Sequence, residues 1–168
     1  AKEQPESSFD KNIHTLNVGE RLSADDVLKS LLMYSANDMA YVIASNIINK
    51  NNAPAADVRN NFSVIMNNEV KKLGLKNTHF ITPNGLHDPN HYSTAYDMSR
   101  IAKAAFSIKW IQKTISTQET TITLDNGTKC EIKNTNKIID PKEPVYDKTC
   151  MGGKTGFTNE AGRCLITI

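Results

Sequence analysis

Residues 151 to 164 read MGGKTGFTNEAGRC, and within them Lys154, Thr155 and Gly156 stand together on what reads as a strand. The lysine supplies a fixed positive charge and the threonine hydroxyl a short-range donor, a pair suited to a ligand that ends in a carboxylate. Glycine leaves room for an extended peptide to lie along the strand and form main-chain hydrogen bonds as an added strand would. For a lone KTG triplet the bland alternative is a tight turn carrying a surface lysine. The triplet is not alone, because Ser35-Ala36-Asn37 lies upstream at the junction of two expected helices and adds a hydroxyl and an amide. The expected chemistry is capture of a peptide's acidic tail in a cleft with the lysine on one side and the serine and amide on the other.

Other reactive side chains carry weaker signals. His87 and His91 flank DPN, a spacing that would suggest metal ligands on a helix, but Pro89 between them predicts a loop. Asp97 reads as a cap or a structural acceptor, Trp110 near Ile108 and Ile111 as core, and His14 and His79 carry no signal. Cys130, Cys150 and Cys164 cannot all pair within one chain and match no zinc pattern, so buried or half-buried thiols are expected. No metal and no cofactor is expected.

These residues need elements to hold them. Ser23 followed by ADDVLKSLLMY has an N-cap residue, two acids where the helix dipole favours them, and Val27, Leu28, Leu31 and Leu32 on one face. That helix should stop near SAND, and a second should run from about Asp38 to the Asn-rich loop NKNNAP. A third has Asp57 as cap, Val58, Phe62, Ile65, Met66 and Leu73 in helical register, and Gly74 to end it. A loop punctuated by Pro83, Gly85 and Pro89 leads to a helix over about 94–106. Thr/Ile alternation on either side of Asp125, Asn126 and Gly127 is a hairpin signature, and strands are expected over 149–156 and 162–168. The organisation predicted is one partial domain over 1–168, with a helical region at about 16–115, a hairpin at about 119–133 and terminal strands at about 149–168.

Bulk properties narrow the classes. At 168 residues the chain suits one domain, which at this size buries roughly 70% of its extended surface. Twenty basic against eighteen acidic side chains are interleaved along the chain, which argues against nucleic acid as a partner. No run approaches the eighteen or so apolar residues of a membrane-spanning helix. The chain opens AKEQPESSFD with neither an initiator Met nor a leader pattern, and RCLITI stops inside an expected strand, so further sequence is expected beyond both ends.

The runs LNVGERLSADDVLKSLLMYSANDMAYVIAS, LGLKNTHFITPNGLHDPNHYSTAYDMSRIA and GGKTGFTNEAGRCL closely resemble the low-molecular-weight penicillin-binding proteins that act as serine D-alanyl-D-alanine carboxypeptidases. The likeness covers the chain from about Leu16 onward. The motif set of these enzymes and of class A β-lactamases is S-x-x-K, S-D-N and K-T-G, and the last two have counterparts here in the same order. The resemblance implies an acyl-transfer enzyme at the extracellular face of the cell envelope. A serine would attack the D-Ala-D-Ala bond of a peptidoglycan stem peptide, water would resolve the acyl-enzyme, and β-lactams would acylate the same nucleophile. It also implies roles. Ser35 would shuttle a proton to the leaving amine, Asn37 would hold the substrate peptide and a catalytic lysine, and Lys154 and Thr155 would hold the terminal carboxylate. Gly156 would permit close approach, and the Phe157 N–H would be one of two oxyanion donors.

The implied fold is α+β, a five-stranded antiparallel sheet covered by helices, of which this chain supplies the helical middle and part of the sheet. Two strands alone are marginal, so a further segment, a partner chain or strand exchange between copies is expected to complete them. The S-x-x-K string here is Ser8-Phe9-Asp10-Lys11, followed by NIHTLN with no apolar helical run. The nucleophile is therefore expected outside this chain, which alone would be inactive. Two alternatives stand beside that reading: a non-catalytic module that binds cell-wall peptide or a partner, and a rebuilt enzyme that uses Ser8 and Lys11.

Overall fold

A computed structural model of the chain describes residues 17, 19–50 and 53–168. Ser8, Lys11 and His14 lie outside these. Helices α1 (Ala24–Lys29), α2 (Asn37–Ile47), α3 (Ala55–Lys72), α4 (Ala95–Phe106) and α5 (Lys109–Ser116) precede two antiparallel hairpins. Strands β1 (Glu119–Thr123) and β2 (Lys129–Lys133) form one, and β3 (Gly153–Thr158) and β4 (Gly162–Thr167) the other.

The first hairpin is the floor of the core. Its alternation aims Ile122, Cys130 and Ile132 to one face, where they pack with Val27, Met33, Ala36 and Met39. Leu22 and Leu124 extend the pairing by a further bridge. Ser23 caps α1 by accepting the Asp26 N–H (3.0 Å), as its position before two acids predicts. The helix does not continue regularly to SAND, because Ser30–Tyr34 winds as a π-helical turn. Widening that turn rotates the apolar face. Val27, Ser30 and Met33 are buried, while Leu28, Leu31 and Leu32 of the expected stripe are only half-buried.

Helix α3 also departs from expectation at its start. It begins at Ala55, with Pro54 in the cap position and Asp57 inside the first turn, where its charge faces the positive helix end. Ile65 and Leu73 of its expected inner face are exposed. Helix α5 follows α4 after two residues. Trp110 on it is half-buried instead of core, and its indole N–H donates to Asp25 Oδ1 (2.7 Å), tying α5 to α1. Lys29 beside Asp25, together with that indole, holds the Asp25 carboxyl below the usual carboxylate range. Of the cysteines, Cys130 is buried, Cys150 half-buried and Cys164 exposed, the last against expectation.

The segment between α3 and α4 is closed by reciprocal bonds between His79 and Tyr92 (2.8 and 3.0 Å). His91 lies in this loop and its Nδ1 accepts the N–H groups of Ile81 (3.1 Å) and Thr82 (3.2 Å), which fixes the neutral tautomer with its proton on Nε2. Burial pushes the His91 pKa below its usual value. Asp97, 2% exposed, is the structural acceptor of the region, taking the Asn77 N–H (2.9 Å) and the Thr78 hydroxyl (2.8 Å). Replacing Asp97 with alanine leaves the Asn77 N–H without its acceptor and the Thr78 hydroxyl with Ser93 Oγ (2.8 Å) alone. The expected loss is about 3 kcal/mol of unfolding free energy, read from the denaturation midpoint, with Asp97→Asn losing less because one acceptor oxygen remains.

Candidate functional site

The π-helical turn delivers Ser35. At its end the Ser35 and Ala36 N–H groups both reach back to the Ser30 carbonyl, and Ser35 is left in the left-handed region (φ 63°, ψ 36°). A serine at that conformation costs of order 1 kcal/mol, strain of the kind that persists when surrounding packing over-determines it. Here the packing is Met33 (1% exposed) and Ala36 (0%), locked on the first hairpin to either side. Asn37, half-buried, then opens α2.

Across 119 residues of sequence, the Lys154 ammonium on β3 donates to the Ser35 hydroxyl. It also donates to the Thr155 carbonyl (2.7 Å). The Thr155 hydroxyl meets that of Thr135 (2.5 Å), and the Thr135 N–H donates to the Met33 carbonyl (2.9 Å). Thr135 therefore braces β3 against the turn that carries Ser35. Nothing in the short run NTN announced that role, which depends on a contact between segments distant in sequence. Among the described residues Lys154 has no carboxylate partner, and burial lowers its pKa to about 8.

The glycines before and after Lys154 answer to different constraints. Gly152 sits at φ 148°, and a Cβ there would lie 2.7 Å from Ile115 Cγ1 and 2.9 Å from the Ile115 carbonyl, at the end of α5. At Gly153 a Cβ would lie 2.2 Å from the Ile166 carbonyl oxygen of β4. At Gly156 it would meet only Cys164 Cβ at 3.8 Å, an ordinary contact. The fold itself demands the first two glycines and leaves the third unexplained.

The ladder orients the backbone. Gly152 and Ile168 bond through the Ile168 N–H (3.1 Å), and the register pairs Lys154 with Ile166 and Gly156 with Cys164. Alternation along an antiparallel pair then aims the N–H groups of Thr155 and Phe157 away from β4, toward the edge of β3 that is unpaired among the described residues. The Phe157 ring is 65% exposed and lies opposite Arg163, whose guanidinium is 6.0 Å from the ring centroid. The structure thus brings Ser35, Lys154 and Thr155 together and sets Gly156 and the Phe157 amide on the adjoining edge. The assembly presents a cation, two hydroxyls and outward backbone donors on an open strand, equipment for a peptide carboxylate and the carbonyl next to it. Two cavities lie elsewhere: one of about 710 Å3 beside α5, reaching Cys150 and Met151, and one of about 240 Å3 against Tyr41 and Arg59.

A family model described as D-alanyl-D-alanine carboxypeptidase matches residues 2–168. The D-alanyl-D-alanine carboxypeptidase DacF of Bacillus subtilis is 35% identical over 150 residues, covering 89% of this chain and 35% of that protein. The D-alanyl-D-alanine endopeptidase of Pseudomonas aeruginosa is 34% identical over 152 residues, covering 90% of this chain and 45% of that one. The solved structure of the Streptomyces K15 DD-transpeptidase superimposes with a TM-score of 0.79 at 26% identity, over 99% of this chain and 60% of that chain. The chain spans between 35% and 45% of the length of these two curated relatives. Its fold is α+β, the helical part and part of the antiparallel sheet of the architecture seen in the transpeptidase.

Proposed function

We propose that this chain, which belongs to the D-alanyl-D-alanine carboxypeptidase family, forms one wall of a serine-type acyl-transfer site for peptidoglycan stem peptides ending in D-Ala-D-Ala. The observation that carries the proposal is the Lys154 ammonium meeting the Ser35 hydroxyl. In this reading the peptide lies along the open edge of β3. Its terminal carboxylate takes the Lys154 ammonium and the Thr155 hydroxyl, Gly156 leaves space for its backbone, and the Phe157 N–H donates to the oxygen of the carbonyl under attack. Asn37 holds the peptide amide and the catalytic lysine. When the peptide bond breaks, the acyl group passes to the attacking serine, and the departing D-alanine nitrogen takes its proton from the Ser35 hydroxyl. Ser35 is reprotonated by the base that deprotonated the nucleophile. No described residue is assigned as that nucleophile.

The relatives' names cover carboxypeptidase, endopeptidase and transpeptidase, so water as the acyl acceptor belongs to this proposal, as do β-lactam acylation and a place at the outer face of the cell envelope. The protein in its full natural length should release D-alanine from an acylated D-Ala-D-Ala peptide and form a covalent adduct with a fluorescent penicillin, located by mass spectrometry. Neither release nor adduct would overturn the reading.

The Lys154 pKa of about 8 gives a pH prediction with a definite sign. Below that value the side chain is an ammonium and can hold a carboxylate. Above it the charge is lost, so affinity for a carboxylate-terminated peptide should fall through pH 8 toward about tenfold per unit. Titration by calorimetry from pH 6.5 to 9.5 checks this. Affinity that is flat or rises over that range would assign Lys154 to something other than the carboxylate.

A further inference from the structure

The smaller cavity, between α2, the start of α3 and the loop at 82–87, holds a cation with no counter-ion among the described residues. Tyr41, Ala55, Ala56, Arg59, Asn84 and His87 line it, and no acidic side chain does. Arg59 Nε is buried without a hydrogen-bond partner, and Arg59 forms no ion pair among the described residues. A guanidinium cannot shed its charge to relieve that, so an unmet donor here is costly. Around it stand further donors. Helix α3 starts with no side-chain cap, and the first bonds back to Pro54 come from Asp57 and Val58 (3.0 and 3.1 Å), which leaves the Ala55 and Ala56 N–H groups at its positive end without partners among the described residues. Asn84 uses its Oδ1 to accept the Leu86 N–H (3.3 Å), so its amide nitrogen remains to donate.

We infer that this cavity is a binding site for a carboxylate, taken by the Arg59 guanidinium with the Asn84 amide and the α3 amides. One permanent positive charge matches a carboxylate better than a phosphate group, which carries about −1.5 to −2 at neutral pH. The volume, about 240 Å3, admits the carboxylate with a short chain. Tyr41 lies four residues beyond Asn37 on α2, hence on the same helix face and about 6 Å further along the axis. The site is therefore placed to take either a free short acid or an acidic group on a peptide held at Asn37; the second source rests on the proposed function, the carboxylate chemistry does not.

The test is an NMR titration of the protein with acetate, and separately with inorganic phosphate, at constant ionic strength, observing the Arg59 Nε–H and the Asn84 side-chain amide. Saturable shifts with acetate are expected. Arg59→Gln should weaken acetate binding at Asn84 at least about tenfold, Arg59→Lys less, and Lys154→Ala should leave it unchanged. Arg59 is half-buried, so Trp110 fluorescence and the denaturation midpoint establish that each variant is folded before its binding is read. Absence of saturation, an unchanged Asn84 response in Arg59→Gln, or tighter binding of phosphate than acetate would overturn the inference. Peptides ending in D-Ala-D-Ala that carry Glu or Gln upstream then separate the sources. A Glu preference abolished by Arg59→Gln assigns the site to the peptide, and equal affinities beside intact acetate binding assign it to a free acid.

Discussion

Replacing Lys154 with alanine is expected to weaken binding of carboxylate-terminated D-Ala-D-Ala peptides roughly 10- to 100-fold, the range of a charge-assisted hydrogen bond lost from a partly desolvated site. Unfolding free energy should hold or rise. The sign follows from the surroundings. Burial disfavours the ammonium, which is why its pKa falls to about 8, and among the described residues no carboxylate compensates it. A structural lysine would instead be ion-paired, and its loss would destabilise. Lys154→Met, which keeps most of the stem and removes the charge, separates lost packing from lost charge. Both variants should bind weakly and stay folded; destabilisation by the Met variant would mark Lys154 as structural.

The second large effect divides the glycines. Gly153→Ala should cost about 3 kcal/mol or more, because the new methyl would sit 2.2 Å from the Ile166 carbonyl and 3.1 Å from Thr167 Cα, backbone atoms that cannot swing aside. Pairing of β3 with β4 would have to shift. Gly156→Ala should be neutral or gain up to about 1 kcal/mol through the unfolded chain, since its methyl meets only an ordinary contact and its φ lies outside the left-handed region. Peptide binding, however, should drop sharply in Gly156→Ala, as the methyl projects where the ligand backbone would pass. Denaturation midpoints and binding isotherms on the two variants should thus move in opposite patterns. A Gly156→Ala protein that binds normally would remove the ligand as the reason for that glycine.

What the sequence made legible were features whose cause is local. Ser23 caps α1 because a hydroxyl at that position finds a backbone amide three residues on, at Asp26. The first hairpin follows from Thr/Ile alternation around DNG, and its register is that of the pattern. The KTG strand was legible in composition, though the regular strand runs Gly153–Thr158 instead of 149–156, with Met151 and Gly152 still bonded to Ile168 before it. What escaped depends on packing at a distance. The π-helical turn arises where Met33 and Ala36 must both seat on the hairpin, a requirement invisible in SLLMYSA. Helix α5 has a marked apolar stripe but spans only eight residues, and Trp110 is held half-buried by its bond to Asp25, 85 residues away. Thr135 gains its place only when β2 ends beside both Met33 and Thr155. Of the residues assigned to the site, Ser35 and Lys154 meet through side chains, Thr155 meets Lys154 through its carbonyl, and Phe157 contributes by the parity of the ladder.

The most direct measurement is a thermodynamic cycle: calorimetric binding of one D-Ala-D-Ala peptide as its free acid and as its C-terminal amide, to the protein and to its Lys154→Ala variant. The acid should bind the unaltered protein at least about tenfold tighter than the amide, and the variant should bind both alike. Equal binding of acid and amide by the unaltered protein, or a preference that survives the loss of Lys154, would contradict a carboxylate site built on this lysine beside Ser35.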